Sequence, residues 1–420
     1  MVATQPAAAE WRSYWFLPVA GALGYATSVL HVYALGPFIA ALQGEFGWTR
    51  AQAAAGLTVA ALISAAGCIP VGMMVDRIGP RRVGLVGIPA MCASFALLST
   101  ANGEFWNWLT LWVVVAVGTF CVQATVWTSA VASRFEASRG LAFAFTLSGA
   151  SVATALYPVF ATWLIGGYGW RTAFVAMGSL WCAFVFPLVF LFFRGARDGA
   201  QKKIAAQASA PALTGVSLAE GLRSAALYKL LMAAGLFAFT IIGIVVHFVP
   251  ILTDSGATPL SAAGIASLIG IFSIIGRLGT GLLLDRFPSH VVGTCAFLIP
   301  IAGCVLLLTS GASPVSQAAA AAVFGLTVGS EVDVIAYLAA KHFGLKSFGA
   351  LYGVLQMALA GGTAFGPLVA GAVFDRSGGY SPFLMATIVL MFLSAIAVFT
   401  LGSPRLPEHR SGVLSASSAD

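Results

Sequence analysis

The sequence predicts an all-α membrane protein: twelve transmembrane helices in two six-helix bundles, with both termini in the cytoplasm. Apolar residues make up 59% of the 420-residue chain and charged residues only 8%. A soluble domain, in contrast, carries about 25% charged residues. Apolar runs of about 20 residues, long enough to cross a bilayer as a helix, recur along the whole chain. These observations exclude an ordinary soluble domain.

The apolar runs and the polar segments between them give the predicted spans. The spans are 14–40, 52–75, 83–101, 106–131, 140–165, 172–193, 226–252, 262–284, 291–311, 316–340, 347–374 and 381–402. The predicted domains are a cytoplasmic N-terminal segment 1–13, a first bundle 14–193, a cytoplasmic linker 194–225, a second bundle 226–402 and a cytoplasmic tail 403–420. The linker is rich in Ala, Gln, Ser and Lys, and we expect a short surface helix near Leu218–Tyr228.

The distribution of basic residues predicts the orientation. If both termini are cytoplasmic, 17 of the 21 Lys and Arg residues lie inside, whereas Arg50, Arg171 and Arg376 lie outside. Such an excess of positive charge is typical of the cytoplasmic face of a membrane protein. The net charge of +7 therefore reflects orientation in the membrane, and we expect no nucleic-acid partner.

An internal repeat relates the two halves of the chain. A shift of 209 residues superposes Thr49 on Thr258 and Asp76-Arg77 on Asp285-Arg286. Two six-helix halves related by a parallel repeat are the architecture of transporters that rock around a central site. The repeat therefore favours a rocking transporter.

One basic residue, Arg277, lies inside a predicted span. It lies eight residues before Asp285, which places it about 12 Å from the charged end of its apolar run. A guanidinium at that depth costs several kcal/mol unless it has a partner or a task. The repeat aligns Cys68 with Arg277, so the charge is absent from the first half. We predict that Arg277 binds the carboxylate of a transported substrate.

Two acids lie in the tenth predicted span, Glu331 and Asp333. Asp333 lies eight residues from Lys341, just as Arg277 lies eight from Asp285, so the depths of Asp333 and Arg277 allow an ion pair. Residues two apart on a helix point about 200° apart, so only one acid can face a given cavity. Either acid could exchange the transported proton, and the alternative is a static pair that locks two helices.

Three uncharged polar residues are further candidates for substrate binding: His247, Tyr33 and Gln123. Histidine is the side chain whose charge changes near neutral pH. A lone histidine on an apolar helix is nevertheless more often a hydrogen-bonded packing residue, and core packing is also the alternative for the other two. The six cysteines show no metal-like or disulfide-like spacing, and we predict neither a metal site nor a cofactor.

A loop motif supports the repeat. Residues 72–82 read Gly-Met-Met-Val-Asp-Arg-Ile-Gly-Pro-Arg-Arg, and the pattern G-x-x-x-D-R returns at 281–286. This pattern resembles the signature loop of the major facilitator superfamily, in which the loop latches the inward gate. With that resemblance and the repeat, we assign gating to a group of charged residues. They are Asp76, Arg77, Arg81, Arg82, Arg134, Arg139, Asp285 and Arg286.

Three segments resemble one branch of that superfamily more closely. Glu-Phe-Gly-Trp-Thr-Arg at 45–50, the stretch 133–144 and Gly-Arg-Leu-Gly-Thr-Gly at 276–281 look like the monocarboxylate transporters and the oxalate:formate exchanger. The resemblance implies that Arg277 is the helix-8 arginine that binds substrate carboxylate. The oxalate exchanger carries a second buried cation on helix 11, whereas residues 347–374 contain no Lys or Arg. A monocarboxylate is therefore expected rather than a dicarboxylate.

Together these inferences predict a secondary transporter that is not an enzyme. It would carry a small organic carboxylate with a proton by alternating access, as a monomer in the lipid bilayer of a bacterial inner or plasma membrane. The alternatives are an organic anion exchanger, a proton-coupled exporter of drugs or metabolites, and a transporter-like sensor that does not transport. The chain has no nucleotide-binding P-loop and no serine nucleophile elbow, which leaves ATP-driven transport and hydrolase chemistry without support.

Overall fold

The computed structural model describes residues 7–135, 137–195, 215–310, 313–344 and 348–402, and within these ranges the chain is almost entirely helical. The helices of the first half are α1 Ala7–Tyr14, α2 Phe16–Ser28, α3 Leu30–Phe46, α4 Arg50–Ile78, α5 Pro80–Leu97, α6 Phe105–Phe120, α7 Ala124–Ala132, α8 Arg139–Leu147 and α9 Gly149–Phe192. Those of the second half are α10 Leu218–Arg223, α11 Ala225–Phe237, α12 Gly243–Asp254, α13 Pro259–Arg286, α14 Ser289–Ser310, α15 Pro314–Phe343, α16 Phe348–Ser377 and α17 Ser381–Phe399.

The described residues contain nine helices long and apolar enough to cross a membrane, or ten if the bent pair α2 and α3 is one span. One of the nine, Gly140–Phe192, has 53 residues and is broken at Gly169, where φ is 79° and ψ is 161°. All twelve predicted spans overlap helical residues. The number of crossings and the cytoplasmic placement of the termini stay predictions.

Three predicted spans are interrupted in the structure, and one of these, the fifth span, is interrupted at Ser148, between α8 and α9. The first bends by 41° at Val29, between α2 and α3. The fourth breaks between α6 and α7, where the carbonyl oxygen of Cys121 lies so close to Gly87 of α5 that a Cβ there would overlap it. Such a contact joins distant helices and leaves no local pattern, which is why the sequence predicted continuous helices.

The N-terminal segment folds in part as helix α1. The Glu10 carboxylate, only 4% exposed, accepts hydrogen bonds from the backbone N–H groups of Ala137 at 2.9 Å and Ser138 at 3.0 Å. Trp11 packs edge-on against Phe135 with 5.3 Å between ring centroids. Tertiary contacts with the turn after α7 thus hold this helix, which was not predicted from the sequence.

Each half has its own apolar core. The first core is drawn from residues between Leu17 and Phe193, joined by Val246, and the second from residues between Leu227 and Val398. The two halves therefore pack as separate bundles, which fits the architecture that the repeat indicated.

Residues superposed by the repeat have the same local role. Thr49 caps α4 by accepting a hydrogen bond from the Gln52 N–H, and Thr258 caps α13 by accepting one from the Ser261 N–H. Such caps satisfy N–H groups that a helix start leaves without a partner. The repeat therefore extends to the residues that begin the second helix of each half.

The halves meet through α4 and α16, α9 and α13, and α3 and α12. Glycine permits the closest approaches, since a Cβ at Gly371 of α16 would lie 2.6 Å from the backbone nitrogen of Ala51. Near the same end, Thr58 Oγ1 in α4 donates to the carbonyl oxygen of Ala364 in α16 at 2.5 Å. This end, which the predicted orientation places outside the cell, is called the outer end below. The halves are in close contact there.

The predicted orientation can be tested with single cysteines in a cysteine-free background. Tyr168→Cys, exposed near the Gly169 break, should react with a membrane-impermeant maleimide in right-side-out vesicles. Leu218→Cys, exposed at the start of α10, should react only after permeabilisation. The cysteine-free protein measures background labelling. The reverse pattern, or equal labelling of both sites before permeabilisation, would contradict the orientation.

Candidate functional site

Arg277 and Asp333 form an ion pair between α13 and α15. Arg277 Nη1 lies 3.4 Å from Asp333 Oδ1, as the matched depths of the two residues allowed. The Arg277 side chain is 12% exposed and that of Asp333 is 34% exposed. The guanidinium is thus mostly shielded while the carboxylate remains partly accessible, so another anion could compete with Asp333 for Arg277.

Glycines bring the two helices close enough for this pair. A Cβ at Gly276 would overlap the carbonyl oxygen of Leu326, and a Cβ at Gly329 would overlap that of Ser273. Small residues of this kind let membrane helices approach closely. Because Gly276 adjoins Arg277 and Gly329 precedes Asp333 by one helical turn, the same contacts set the position of both charged side chains.

Glu331 points elsewhere. Its side chain is fully buried, and neither carboxylate oxygen has a hydrogen-bond partner in the described structure. It shares a helix face with Val334 and Leu338, which lie against Gly293 of α14. An ionised carboxylate without a partner in an apolar interior is very costly, so a neutral acid is expected at Glu331. The structure thus places Asp333, and not Glu331, beside Arg277.

Tyrosines from both halves lie within electrostatic range of Arg277. They are Tyr25 and Tyr33 from the first half and Tyr352 from α16 of the second. Tyr33 was among the predicted substrate-binding residues, but Tyr25 was not. The signal that could have found Tyr25 is its position eight residues before Tyr33 in the same predicted span. The pair therefore lies where the two bundles face each other.

Gln123 and His247 are not grouped with Arg277 by their hydrogen bonds. Gln123 Nε2 donates to the carbonyl oxygen of Ser64 at 3.3 Å, inside the first bundle. His247 is fully buried, with Nε2 2.9 Å from the carbonyl oxygen of Pro367 and Nδ1 2.7 Å from Tyr380 Oη. A substrate role for these two residues stays a prediction.

Two of the predicted gating arginines, Arg81 and Arg134, make contacts within the first half. Arg81 donates to the carbonyl oxygen of Phe190 at 2.7 Å, and Arg134 donates to the carbonyl oxygen of Gly195 at 3.3 Å and lies over the Tyr14 ring. The side chains of Arg77, Arg82 and Arg286 are exposed. Those of Asp76, Arg139 and Asp285 lie outside the described residues. The gating assignment stays a prediction.

Histidines and acids do not assemble a metal site in the described ranges, where no three His, Cys, Asp or Glu side chains are grouped to hold an ion. His31 is 8% exposed and packs edge-on against Trp112, with 6.0 Å between ring centroids. This environment fits a packed histidine better than a ligand.

A second buried arginine, Arg50, joins the two halves at the outer end. Its Nη1 lies 2.7 Å from Asp254 Oδ2 and its Nη2 lies 2.9 Å from Asp254 Oδ1, a bidentate pair between α4 and α12. Nη1 also donates to Tyr380 Oη at 2.8 Å, and the guanidinium carbon lies 3.6 Å from the centre of the Phe374 ring. This cluster was not predicted from the sequence, where Arg50 is an outer positive charge and the last residue of the 45–50 segment.

The same cluster holds the start of α4. The Asp375 carboxylate accepts hydrogen bonds from the backbone N–H groups of Arg50 at 2.9 Å and Ala51 at 3.0 Å. A carboxylate at a helix N-terminus is favourable because the free N–H groups and the helix dipole are positive there. The hydrogen bond between Tyr380 and His247 extends the network into α12.

Comparison with known proteins finds a matching family and relatives that are named as transporters. The family model described as the Major Facilitator Superfamily matches residues 21–358. The chain is similar to monocarboxylate transporter 13 of Bos taurus, with 24% identity over 334 residues that cover 78% of this chain and 76% of that protein. It is also similar to the 3-(3-hydroxy-phenyl)propionate transporter of Escherichia coli (strain K12), with 26% identity over 372 residues that cover 86% and 85% of the two chains.

A solved structure shares the fold. A bacterial homologue of the human lysosomal transporter Spinster, in an inward-facing and unoccupied conformation, superposes with a TM-score of 0.72 and covers 94% of this chain and 97% of that chain, at 18% identity. The family model spans most of the chain, and the apolar helices with their two cores agree with it. The chain therefore belongs to the Major Facilitator Superfamily.

Proposed function

We propose that this transporter carries a small organic monocarboxylate together with a proton across the cell membrane. The observation that carries the proposal is the Arg277–Asp333 pair, a mostly buried guanidinium with a partly exposed carboxylate partner. Arginine binds carboxylates with two parallel hydrogen bonds, which gives orientation as well as affinity. A substrate carboxylate would therefore replace Asp333 as the partner of Arg277.

Charge balance supplies the coupling to protons. In the empty site the positive Arg277 and the negative Asp333 cancel. When an anionic substrate takes over Arg277, a proton on Asp333 restores neutrality. Anion without proton, or proton without anion, would leave a net charge inside the membrane, and that state is costly to carry through a conformational change. Only the empty and the doubly loaded forms would therefore reorient readily.

This scheme makes the pH gradient the driving force. A proton and a monoanion crossing together move no net charge, so the membrane potential would neither drive nor oppose the step. A gradient of one pH unit supplies about 1.4 kcal/mol per proton. The names of the relatives, a monocarboxylate transporter and a phenylpropionate transporter, support a carboxylate as the substrate.

The first test removes the guanidinium. Arg277→Ala should lower uptake of labelled lactate or 3-(3-hydroxyphenyl)propionate by at least about tenfold, because a hydrogen bond to a charged group contributes about 1.5–3 kcal/mol. Arg277→Lys keeps the charge but not the fork geometry, so its uptake should lie between that of Arg277→Ala and that of the wild type. Immunoblots of membranes check that each variant is inserted. Uptake by Arg277→Ala at the wild-type rate would show that Arg277 does not bind the substrate.

The second test separates the two acids. Asp333→Asn imitates the protonated acid, so it should retain exchange of labelled for unlabelled carboxylate but lose accumulation driven by a pH gradient in proteoliposomes. Glu331→Gln is the matched control, since a neutral Glu331 is replaced by a neutral side chain of the same shape, and it should keep pH-driven accumulation. If instead Glu331→Gln loses the coupling and Asp333→Asn keeps it, the proton site is Glu331.

The third test concerns the glycine contact that positions the pair. Gly329→Ala should raise the apparent KM for the carboxylate, because the added methyl group would overlap the Ser273 carbonyl oxygen and crowd the Arg277 backbone nitrogen, which shifts the guanidinium that binds the substrate. Gly279→Ala, on α13, is the control, since its Cβ would meet no atom within 4 Å. Initial uptake rates over a range of concentrations give both KM values. Equal values for the two variants would show that the close approach is not needed.

A further inference from the structure

Arg50 has all its polar side-chain contacts in the opposite half of the protein. Arg50 begins α4 in the first half, whereas Asp254, Tyr380 and Phe374 belong to the second. Its side chain is only 10% exposed, and Nε has no partner in the described structure. The partners of this cation therefore depend on how the two halves are placed.

Opening the outer end would remove those partners together. A rocking motion carries each bundle as a unit, so α4 must separate from α12 and α16 for the outer end to open. Asp254 and Asp375 move away with the second bundle. Arg50 would then stand on the first bundle as a cation without its counter-ion, and a guanidinium pairs well with an incoming carboxylate because of its fork geometry and weak hydration.

A cavity of about 370 Å³ adjoins Arg50. Its walls come mainly from apolar parts of α3, α9 and α12, with Arg50 and Asp254 as its charged members. Asp254 neutralises Arg50 in this arrangement; without Asp254, the apolar walls and the single cation suit a molecule with one carboxylate and a compact apolar body.

The cavity continues towards the middle of the protein. A smaller cavity shares Gly36, Pro37 and Val249 with it and extends to Tyr33. Tyr33 in turn lies within electrostatic range of Arg277. Cavity-lining residues thus run from Arg50 at the outer end to Tyr33, and the proposed path continues from there to Arg277.

We propose that Arg50 is a second carboxylate-binding site, at the outer mouth of the transport path. It rests on the proposed function, since its ligand is the transported monocarboxylate. In the state described here the outer end is closed, and the Asp254 carboxylate is the anion bound by the Arg50 guanidinium. When the outer end opens, the substrate carboxylate takes the place of Asp254 and then passes to Arg277.

Two variants that break the Arg50–Asp254 ion pair distinguish a binding site from a latch, that is, a contact that only holds the outer end closed. Arg50→Gln removes the latch and the guanidinium, whereas Asp254→Asn removes the latch but leaves the guanidinium without its competitor. With labelled lactate, or labelled 3-(3-hydroxyphenyl)propionate if lactate is not carried, added outside right-side-out vesicles, Arg50→Gln should raise the apparent KM about tenfold. Asp254→Asn should lower it.

Arg171→Gln is the matched control. Arg171 is also an outer arginine paired with a carboxylate, but its partner Glu45 lies in the same half. This variant should leave the KM near the wild-type value. If Arg50→Gln fails to reach the membrane, Arg50→Lys should show a KM between those of wild type and the expected Gln variant, since it keeps the charge without the fork.

Changes of KM in the same direction for Arg50→Gln and Asp254→Asn would overturn the proposal, because a latch alone predicts that both variants act alike. An equal rise for Arg171→Gln would also overturn it and would indicate a general effect of surface charge. These results are separable from failure of the proposed function. That failure would appear as an absence of carboxylate uptake by the wild type, or as unchanged uptake by Arg277→Ala.

Discussion

A guanidinium inside a membrane is tolerated only while an anion neutralises it, and the second bundle is built around that constraint. Gly276 and Gly329 let α13 and α15 approach until Arg277 and Asp333 meet. Asp333 keeps a third of its side chain accessible while Arg277 is largely covered. The pair is therefore stable in the empty protein and open to competition from a second anion, and the proposed transport cycle depends on that competition.

The two buried arginines differ in where their partners lie. Arg277 and Asp333 belong to the same bundle, so rocking does not separate them and a proton must release the acid. Arg50 and Asp254 belong to opposite bundles, so rocking itself separates them. In the proposed cycle, protonation of Asp333 frees Arg277, whereas separation of the bundles frees Arg50 from Asp254. The substrate carboxylate then replaces the acidic partner at each arginine.

The sequence predicted the fold and the central pair because both leave local signals. Depth can be counted in residues from the nearest charged end, which placed Arg277 and Asp333 at the same level. The repeat was visible because Thr49 and Thr258 begin equivalent helices with the same cap. The choice between Glu331 and Asp333 needed coordinates, since their spacing shows that they diverge but not which one meets α13.

Other features depend on contacts between distant residues and leave no pattern in the chain. Arg50 meets Asp254 and Tyr380 across 204 and 330 residues, and the residues around Arg50 in the sequence do not indicate these partners. His247 was a candidate for substrate binding, with packing as the alternative, and its hydrogen bond to Tyr380 joins that outer cluster. Helix α1 is defined by a carboxylate, Glu10, that bonds the turn after α7. In each case a polar group finds its partner in another part of the fold.

The most direct test of the central claim is the number of protons taken up when substrate binds. Purified protein in a weakly buffered solution with a pH indicator is mixed with a transported carboxylate, and the proton uptake is compared with the amount of bound ligand. The account predicts one proton per carboxylate for the wild type and none for Asp333→Asn. Stoichiometric binding by the wild type with no uptake of protons would contradict it.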